Sequence, residues 1–246
     1  MNFNFELLKK EFSKIKNYGW IKSCRSGNDG IGRTFENLLG KEEENFEFPD
    51  FCGIEIKTKR AYSNSYTTLF CSTPEGNFFY EIKRLRDTYG YPDKALKNYK
   101  VLLNSIYCNE FCKVGLFHYF KLKVDYKNKK VVLCIYDYYK NLLEDAVYWD
   151  FDILKEKLER KLSYLAFVNA HRKFIDGKEY FKYYKINFYK LRSFDRFLLL
   201  LEKRKIRVTF KISVFKSGKN FGKIHDHGTS FDIKEDDLLL LFKLYK

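Results

Sequence analysis

Near the start of the chain Phe5, Leu8, Phe12 and Ile15 lie three to four residues apart, and Asn17-Tyr18-Gly19 follows as a stop. This spacing predicts an amphipathic helix over 5–15. The polar, glycine-bearing stretch SCRSGNDGIG (23–32) reads as a loop of the kind that lies near a ligand, and Phe35, Leu38 and Leu39 place a second helix over 34–43. Beyond the acidic run Glu42-Glu43-Glu44, residues 53–59 and 67–72 have β character around a polar turn at Ser63-Asn64-Ser65, which predicts a hairpin. A helix is expected near 93–106, then a second hairpin from 114–124 and 130–137, giving a sheet of at least four strands. Asp150 or Asp152 caps a helix running to about 162, and strands over 163–174 and 178–188 are joined by Asp176-Gly177, a favoured hairpin turn. Ser193 caps a helix through 203. A strand over 206–215, a glycine-rich basic loop, a short strand over 230–233 and a closing helix over 238–244 complete the pattern. The mixture predicts an α/β (α+β) protein without internal repeats or low-complexity tracts.

With 246 residues, 45% of them hydrophobic and 19% aromatic, the chain is long enough for one large domain or two lobes and has the material for a core. No apolar run approaches the ~18–20 residues of a membrane span, and residues 1–10 lack the apolar core of a signal peptide, so the expected setting is the cytoplasm. The six cysteines lack the dense spacing of a disulfide scaffold and are expected to be reduced. Cys108 and Cys112 have no second Cys or His pair at zinc-finger spacing. Charge changes the picture most. Lysine and arginine number 47 against 32 acidic residues, a net charge of +15 that suits an anionic partner such as nucleic acid.

The chemistry concentrates in PDFCGIEIK (49–57). On a strand, Glu55 and Lys57 share one face while Ile54 and Ile56 share the other, and Asp50 stands just before them. Two carboxylates offer hard oxygen ligands suited to Mg²⁺, and Lys57 would supply a cation beside a phosphate. Glu36, on the preceding helix, is a candidate third carboxylate. The same residues would also suit a solvated strand face with an i, i+2 ion pair. A second constellation is His225-Asp226-His227 among Lys216, Lys219 and Lys223. Histidine and lysine donate to guanine N7 and O6, aspartate accepts from cytosine N4, and lysines hold phosphates. A His-x-His metal pair and a plain solvent loop are the competing readings. Lys83, Arg84 and Arg86 beside Phe78, Phe79, Tyr80, Tyr89 and Tyr91 form a further basic and aromatic patch suited to a DNA backbone or to an ordinary charged helix face.

Several separated blocks occur in one order: GIGRTFENLLGKEEENFEFPDFCGIEIKTKR (30–60), TLF (68–70), LRDTYG (85–90), VYWDFDILKEKLERKLSYLA (147–166) and SGKNFGKIHDHGT (217–229). Together they resemble the MvaI/BcnI-type restriction endonucleases, relatives of the mismatch-repair nicking enzyme MutH with the PD-(D/E)xK nuclease fold. The resemblance implies a monomeric, Mg²⁺-dependent type II enzyme with two lobes around a DNA cleft, here 1–165 for catalysis and 166–246 for recognition. It implies cleavage of double-stranded DNA one strand at a time at a short GC-containing site, with a methyltransferase of matching specificity protecting the host. Asp50, Glu55 and Lys57 take the catalytic places, Asp50 and Glu55 as metal ligands, with Glu36 as accessory carboxylate. His225, Asp226 and His227 fall on the base-reading loop. Departures occur at Thr209 and Lys211, where a close family member has Asp and Arg for base contacts, and at Asp232, where a basic residue is usual. The family's CC(A/T)GG-type target is therefore not carried over. A strand-nicking repair enzyme and a DNA-binding module with structural carboxylates stand as alternatives.

Overall fold

The computed structural model describes residues 2–40, 48–77 and 80–245. The acidic run at 42–44, the end of the helix expected over 34–43, and Phe78 and Phe79 of the aromatic patch lie outside them. The chain forms two compact units, each assembled from separate segments. The first comprises Met1–Thr67, Glu159–Arg192 and Leu239–Lys246; the second comprises Thr68–Leu158 and Ser193–Leu238. The chain thus passes between units four times, whereas one passage near 165 was expected.

In the first unit the helices Asn2–Asn17 and Gly30–Leu38 lie on one face of a sheet ordered Ile21–Lys22, Lys178–Leu191, Tyr164–Ile175, Glu55–Arg60, with Phe242–Leu244 also paired to Lys178–Leu191. Phe5, Leu8, Phe12, Ile15, Ile31 and Phe35 from the helices meet Ile54, Ile56, Ala166, Val168, Ala170, Phe181 and Tyr183 from the sheet in one buried cluster. Asp176 and Gly177 take positive φ (48° and 70°) in the turn between the two long strands, as the Asp-Gly pair predicts. Tyr164–Ile175 is the central strand. Its run from Leu165 to Ala170 is buried without a break, which requires apolar cover on both faces and a partner on both edges.

That requirement overturns the first expected hairpin. Glu55–Arg60 runs parallel to the central strand, Leu165 opposite Glu55 and Phe167 opposite Lys57, and does not pair with Thr67–Cys71. Thr67–Cys71 joins a sheet with Ser230–Ile233, Ile206–Val214, Lys100–Ile106 and Tyr91–Pro92, where the Phe70 ring stacks on Phe231 at 5.0 Å between centroids. The expected sheet of at least four strands is likewise divided: among the described residues the strands form three sheets. The third contains Cys112–Val114, His118–Asp125, Lys130–Tyr136 and Leu142–Asp150, the last a strand the hydropathy pattern did not reveal. Trp149, on that strand, packs against Phe210 and Phe231 and donates from Nε1 to the Ser72 carbonyl at 2.9 Å.

The helix expected near 93–106 is also corrected. Asp93 looks like an N-cap, but its Oδ1 accepts from the Ala95 and Leu96 amides in a turn that closes on itself through Asp93 N to Tyr99 O. These bonds, with the Lys216 ammonium, hold its carboxyl below the usual range. The chain then enters the strand Lys100–Ile106, and the helix of this region lies earlier, at Glu81–Tyr89. The helices Phe151–Leu162 and Phe194–Glu202 form as expected, Ser193 accepting from Arg196 N at 3.1 Å. The closing helix shortens to Leu238–Leu241 before the strand Phe242–Leu244. All six cysteines are free thiols. Among the described residues no helix is long and apolar enough to cross a membrane.

Candidate active site

A two-residue turn sets up the first constellation. Phe51 and Ile54 exchange both backbone hydrogen bonds (2.9 and 2.8 Å), with Cys52 and Gly53 between them at positive φ. The reversal brings Asp50 back beside the strand it precedes, where its Oδ2 accepts from Ile56 N at 2.9 Å. Ile54 and Ile56 enter the helix-covered core, so Glu55 and Lys57 project from the opposite face. The Glu55 side chain is 2% exposed. Its Oε1 accepts from Lys57 Nζ at 2.6 Å and faces Lys161 Nζ at 3.6 Å, while its Oε2 is buried with no hydrogen-bond partner. Burial pushes the Glu55 carboxyl upward; the Lys57 ammonium opposes this and the neighbouring Asp50 charge reinforces it.

This donor set fits a divalent cation. Both ammonium groups are gathered on one oxygen of Glu55, and the other is an orphaned acceptor in a site that also holds a second carboxylate. Glu36 does not complete a trio: among the described residues no group of three or more His, Cys, Asp or Glu is placed to hold a metal ion. Its Oε2 accepts from Arg33 Nη1 at 3.2 Å, and a Cβ at Gly32 would meet both its Oε1, at 3.8 Å, and the Thr58 hydroxyl, at 3.3 Å. Thr58 has the opposite parity to Glu55 and Lys57 on the strand. Lys161 is the residue that the sequence reading missed. It stands in the last turn of Phe151–Leu162, 106 positions from Glu55 by subtraction of their residue numbers, and no local motif marks it.

In the second unit Ile206–Val214 alternates strictly: Ile206, Val208, Phe210, Ile212 and Val214 are buried, while Arg207, Thr209, Lys211 and Ser213 share the other face. The short strand Ile224–Asp226 pairs with it, Ser213 opposite His225, and His227 N donates to Lys211 O. The His225 ring stacks on Phe215 at 4.0 Å and lies 3.8 Å from the His227 ring. Burial, and then the neighbouring His225, hold the His227 imidazole below its usual value. Asp226 Oδ1 accepts from Gly228 N at 2.8 Å. Lys211, His225, Asp226 and His227 are thus brought together, with Lys219 and Lys223 exposed on the adjoining loop. The Thr209 hydroxyl donates to Oδ2 of the buried Asp232 at 2.6 Å, whose other oxygen accepts from Thr68. Arg84 and Arg86 belong to a different element, the Glu81–Tyr89 helix. Arg84 bridges Glu81 and Glu144, and Arg86 pairs with Asp87.

The chain belongs to the MvaI/BcnI restriction endonuclease family, which it matches over residues 9–242. It is accordingly a site-specific deoxyribonuclease. Among solved structures it is similar to restriction endonuclease MvaI in complex with cognate DNA substrate, at 34% identity and a TM-score of 0.92. MvaI in the absence of DNA matches at 33% identity and a TM-score of 0.64. Each match covers 100% of this chain and 98% of the other. No curated protein matches the chain.

Proposed function

We propose that this restriction endonuclease is a type II enzyme that hydrolyses double-stranded DNA with Mg²⁺ at Asp50 and Glu55. In this reading it acts as a monomer, nicks one strand at a time at a short GC-containing site and leaves 5′-phosphates. The observation that carries the reading is the buried, unpartnered Oε2 of Glu55 in a site whose other Glu55 oxygen holds Lys57. Asp50 and Glu55 would hold the ion, which when bound supplies a Lewis acid toward a phosphate oxygen and an acidified water. Lys57, fixed by its strand and by Glu55, orients the attacking water and offsets charge as the P–O3′ bond breaks. Glu36 is assigned a supporting place on the neighbouring helix. Cutting is assigned to the unit containing Asp50 and reading to the unit containing His225. In the latter, His225, His227 and Lys211 donate to guanine and Asp226 accepts from cytosine, Thr209 shapes the strand face, and Lys219 and Lys223 meet phosphates. Arg84 and Arg86, each already paired with carboxylate, are assigned at most outer phosphate contacts. A methyltransferase of the same specificity would shield the host genome in the cytoplasm.

Plasmid digestion with and without Mg²⁺ tests this directly. Wild type should pass through nicked circles to linear product without helper proteins, and Glu55→Gln should lose cleavage while binding DNA within about tenfold of wild type, since it removes a metal ligand and not a phosphate contact. Retained cleavage by Glu55→Gln would refute the assignment, and nicked circles that never become linear would identify a nicking enzyme.

A further inference from the structure

The face of the second unit to which base reading is assigned carries one large apolar side chain. On the Ile206–Val214 strand that face consists of Arg207, Thr209, Lys211 and Ser213. The neighbouring strand Lys100–Ile106 pairs with it antiparallel, placing Leu103 opposite Lys211 and Ser105 opposite Thr209. Directly opposed residues of paired strands project from the same side of a sheet. The Ser105 and Thr209 hydroxyls, 3.2 Å apart, show that they do so here. Leu103 therefore stands beside Lys211, and it is 46% exposed, whereas the preceding Leu102 is fully buried on the opposite face.

A leucine exposed elsewhere on a surface calls for no explanation. This one is set apart by its neighbours and by how firmly its backbone is held. Thr209 is engaged with Ser105 and with the buried Asp232, so the middle of the face is bonded within itself. Lys211 and Leu103 form the next cross-strand pair on that face. The strand that carries Leu103 is paired on both edges, with Ile206–Val214 and with Tyr91–Pro92. The Tyr91 hydroxyl donates to the Leu103 carbonyl at 3.0 Å, and Asn104 Nδ2 donates to the Lys113 carbonyl at 3.0 Å. Gly115 approaches Tyr91 so closely that a Cβ there would meet Tyr91 Cβ at 3.2 Å. A side chain on an interior strand braced in this way meets a ligand at a set position, with no loop to be ordered first.

We propose that Leu103 is a specificity-determining residue that selects thymine, through its C5-methyl group in the major groove, at the base pair next to the guanine met by Lys211. The inference rests on the reading that this strand face and the histidine loop contact bases. Opposed Cβ atoms of paired strands are ~4.5–5.5 Å apart. That is more than one and less than two stacking repeats at ~3.4 Å of duplex axis per base pair, so the two side chains address neighbouring pairs. The Lys211 ammonium offers donors only, which suits guanine O6 and N7. Leu103 offers neither donor nor acceptor, and among the four bases only thymine presents a methyl group in that groove. One cross-strand pair thus reads two bases by two different kinds of contact.

The test removes that methyl group and nothing else. Sequenced cut ends define the target, and each of its thymines is replaced in turn by deoxyuridine, which keeps the hydrogen-bonding edge. Equilibrium binding is then measured with Ca²⁺ in place of Mg²⁺. Wild type should lose about fourfold in affinity at one position adjoining a guanine, the worth of one methyl-sized group at ~0.8 kcal/mol. Leu103→Ala should bind the thymine and uracil duplexes equally at that position, and Leu103→Ile should keep the preference for thymine. Melting temperatures establish that each variant is folded; the wild-type comparison needs no variant and decides alone if neither is. Wild-type affinity indifferent to every thymine-to-uracil exchange would overturn the proposal. So would a target without an A·T pair, or an undiminished thymine preference in Leu103→Ala. Failure of the underlying reading has a different signature: Asp226→Ala and Lys211→Arg would then leave the cleavage profile on a randomised library unchanged, whereas failure of the Leu103 assignment alone leaves those two profiles altered.

Discussion

A carboxylate with 2% of its side chain exposed carries a desolvation cost that two ammonium groups on one of its oxygens offset only in part. Because burial raises the folded pKa of Glu55 above its unfolded value, folding favours the acid form. That contribution is complete below the ordinary glutamate range and is lost as pH rises through the raised value. Glu55→Gln is therefore expected to melt higher than wild type at about pH 8, the gap closing toward about pH 4. A lower melting temperature at the alkaline end would show that losing the partner of Lys57 and Lys161 outweighs relief of burial. His227 runs the other way. Its folded pKa is depressed, so the neutral ring is favoured, and the stability tied to it declines as pH falls below the ordinary histidine value of about 6.5. Cleavage-site profiles on a randomised library should hold constant through that point and broaden only at lower pH, where the folded ring takes up its proton, and His227→Gln should flatten the acid limb.

Strand alternation turns isolated polar residues into a reading surface. Lys211 and Ser213 face the same way on Ile206–Val214, and pairing with Ile224–Asp226 sets the histidine loop beside them. If Asp226 contacts a base, Asp226→Ala should cost about 5- to 150-fold in discrimination at one position, equivalent to ~1–3 kcal/mol. Lys211→Arg should sharpen preference for guanine, because a guanidinium fork defines geometry that an ammonium does not. Library profiles identical to wild type in both variants would exclude this strand and loop from recognition. The helix Phe194–Glu202 gives a stability counterpart: Ser193 accepts from Arg196 N, so Ser193→Ala should lose about 1 kcal/mol in denaturant unfolding. No measurable loss would mean that water replaces the cap.

For the whole molecule, a net charge of +15 predicts binding that weakens steeply with salt, by about 0.9 in log–log slope per neutralised phosphate. Sedimentation should give one chain of 29.7 kDa both free and on a single target duplex. A stable dimer in both states would contradict the proposed monomeric mode.

Local periodicity was sufficient wherever an element depends on its own residues. Phe5, Leu8, Phe12 and Ile15 mark a helix face, Asp176-Gly177 the positive-φ turn, Ser193 a cap, and Glu55 with Lys57 one side of a strand, because these follow from backbone geometry within a few positions. Pairing partners were not legible. Residues 53–59 and 67–72 look like a hairpin by proximity, yet the doubly buried Tyr164–Ile175 strand takes the first as its parallel neighbour, and Phe70 takes the second to Phe231. The site shows the same division. Asp50, Glu55 and Lys57 could be read from nine consecutive residues, whereas Lys161 enters only through the packing of a distant helix. Hydrogen bonds and apolar burial between distant segments carry no local signature in the chain, and they determine which of several compatible strands become neighbours.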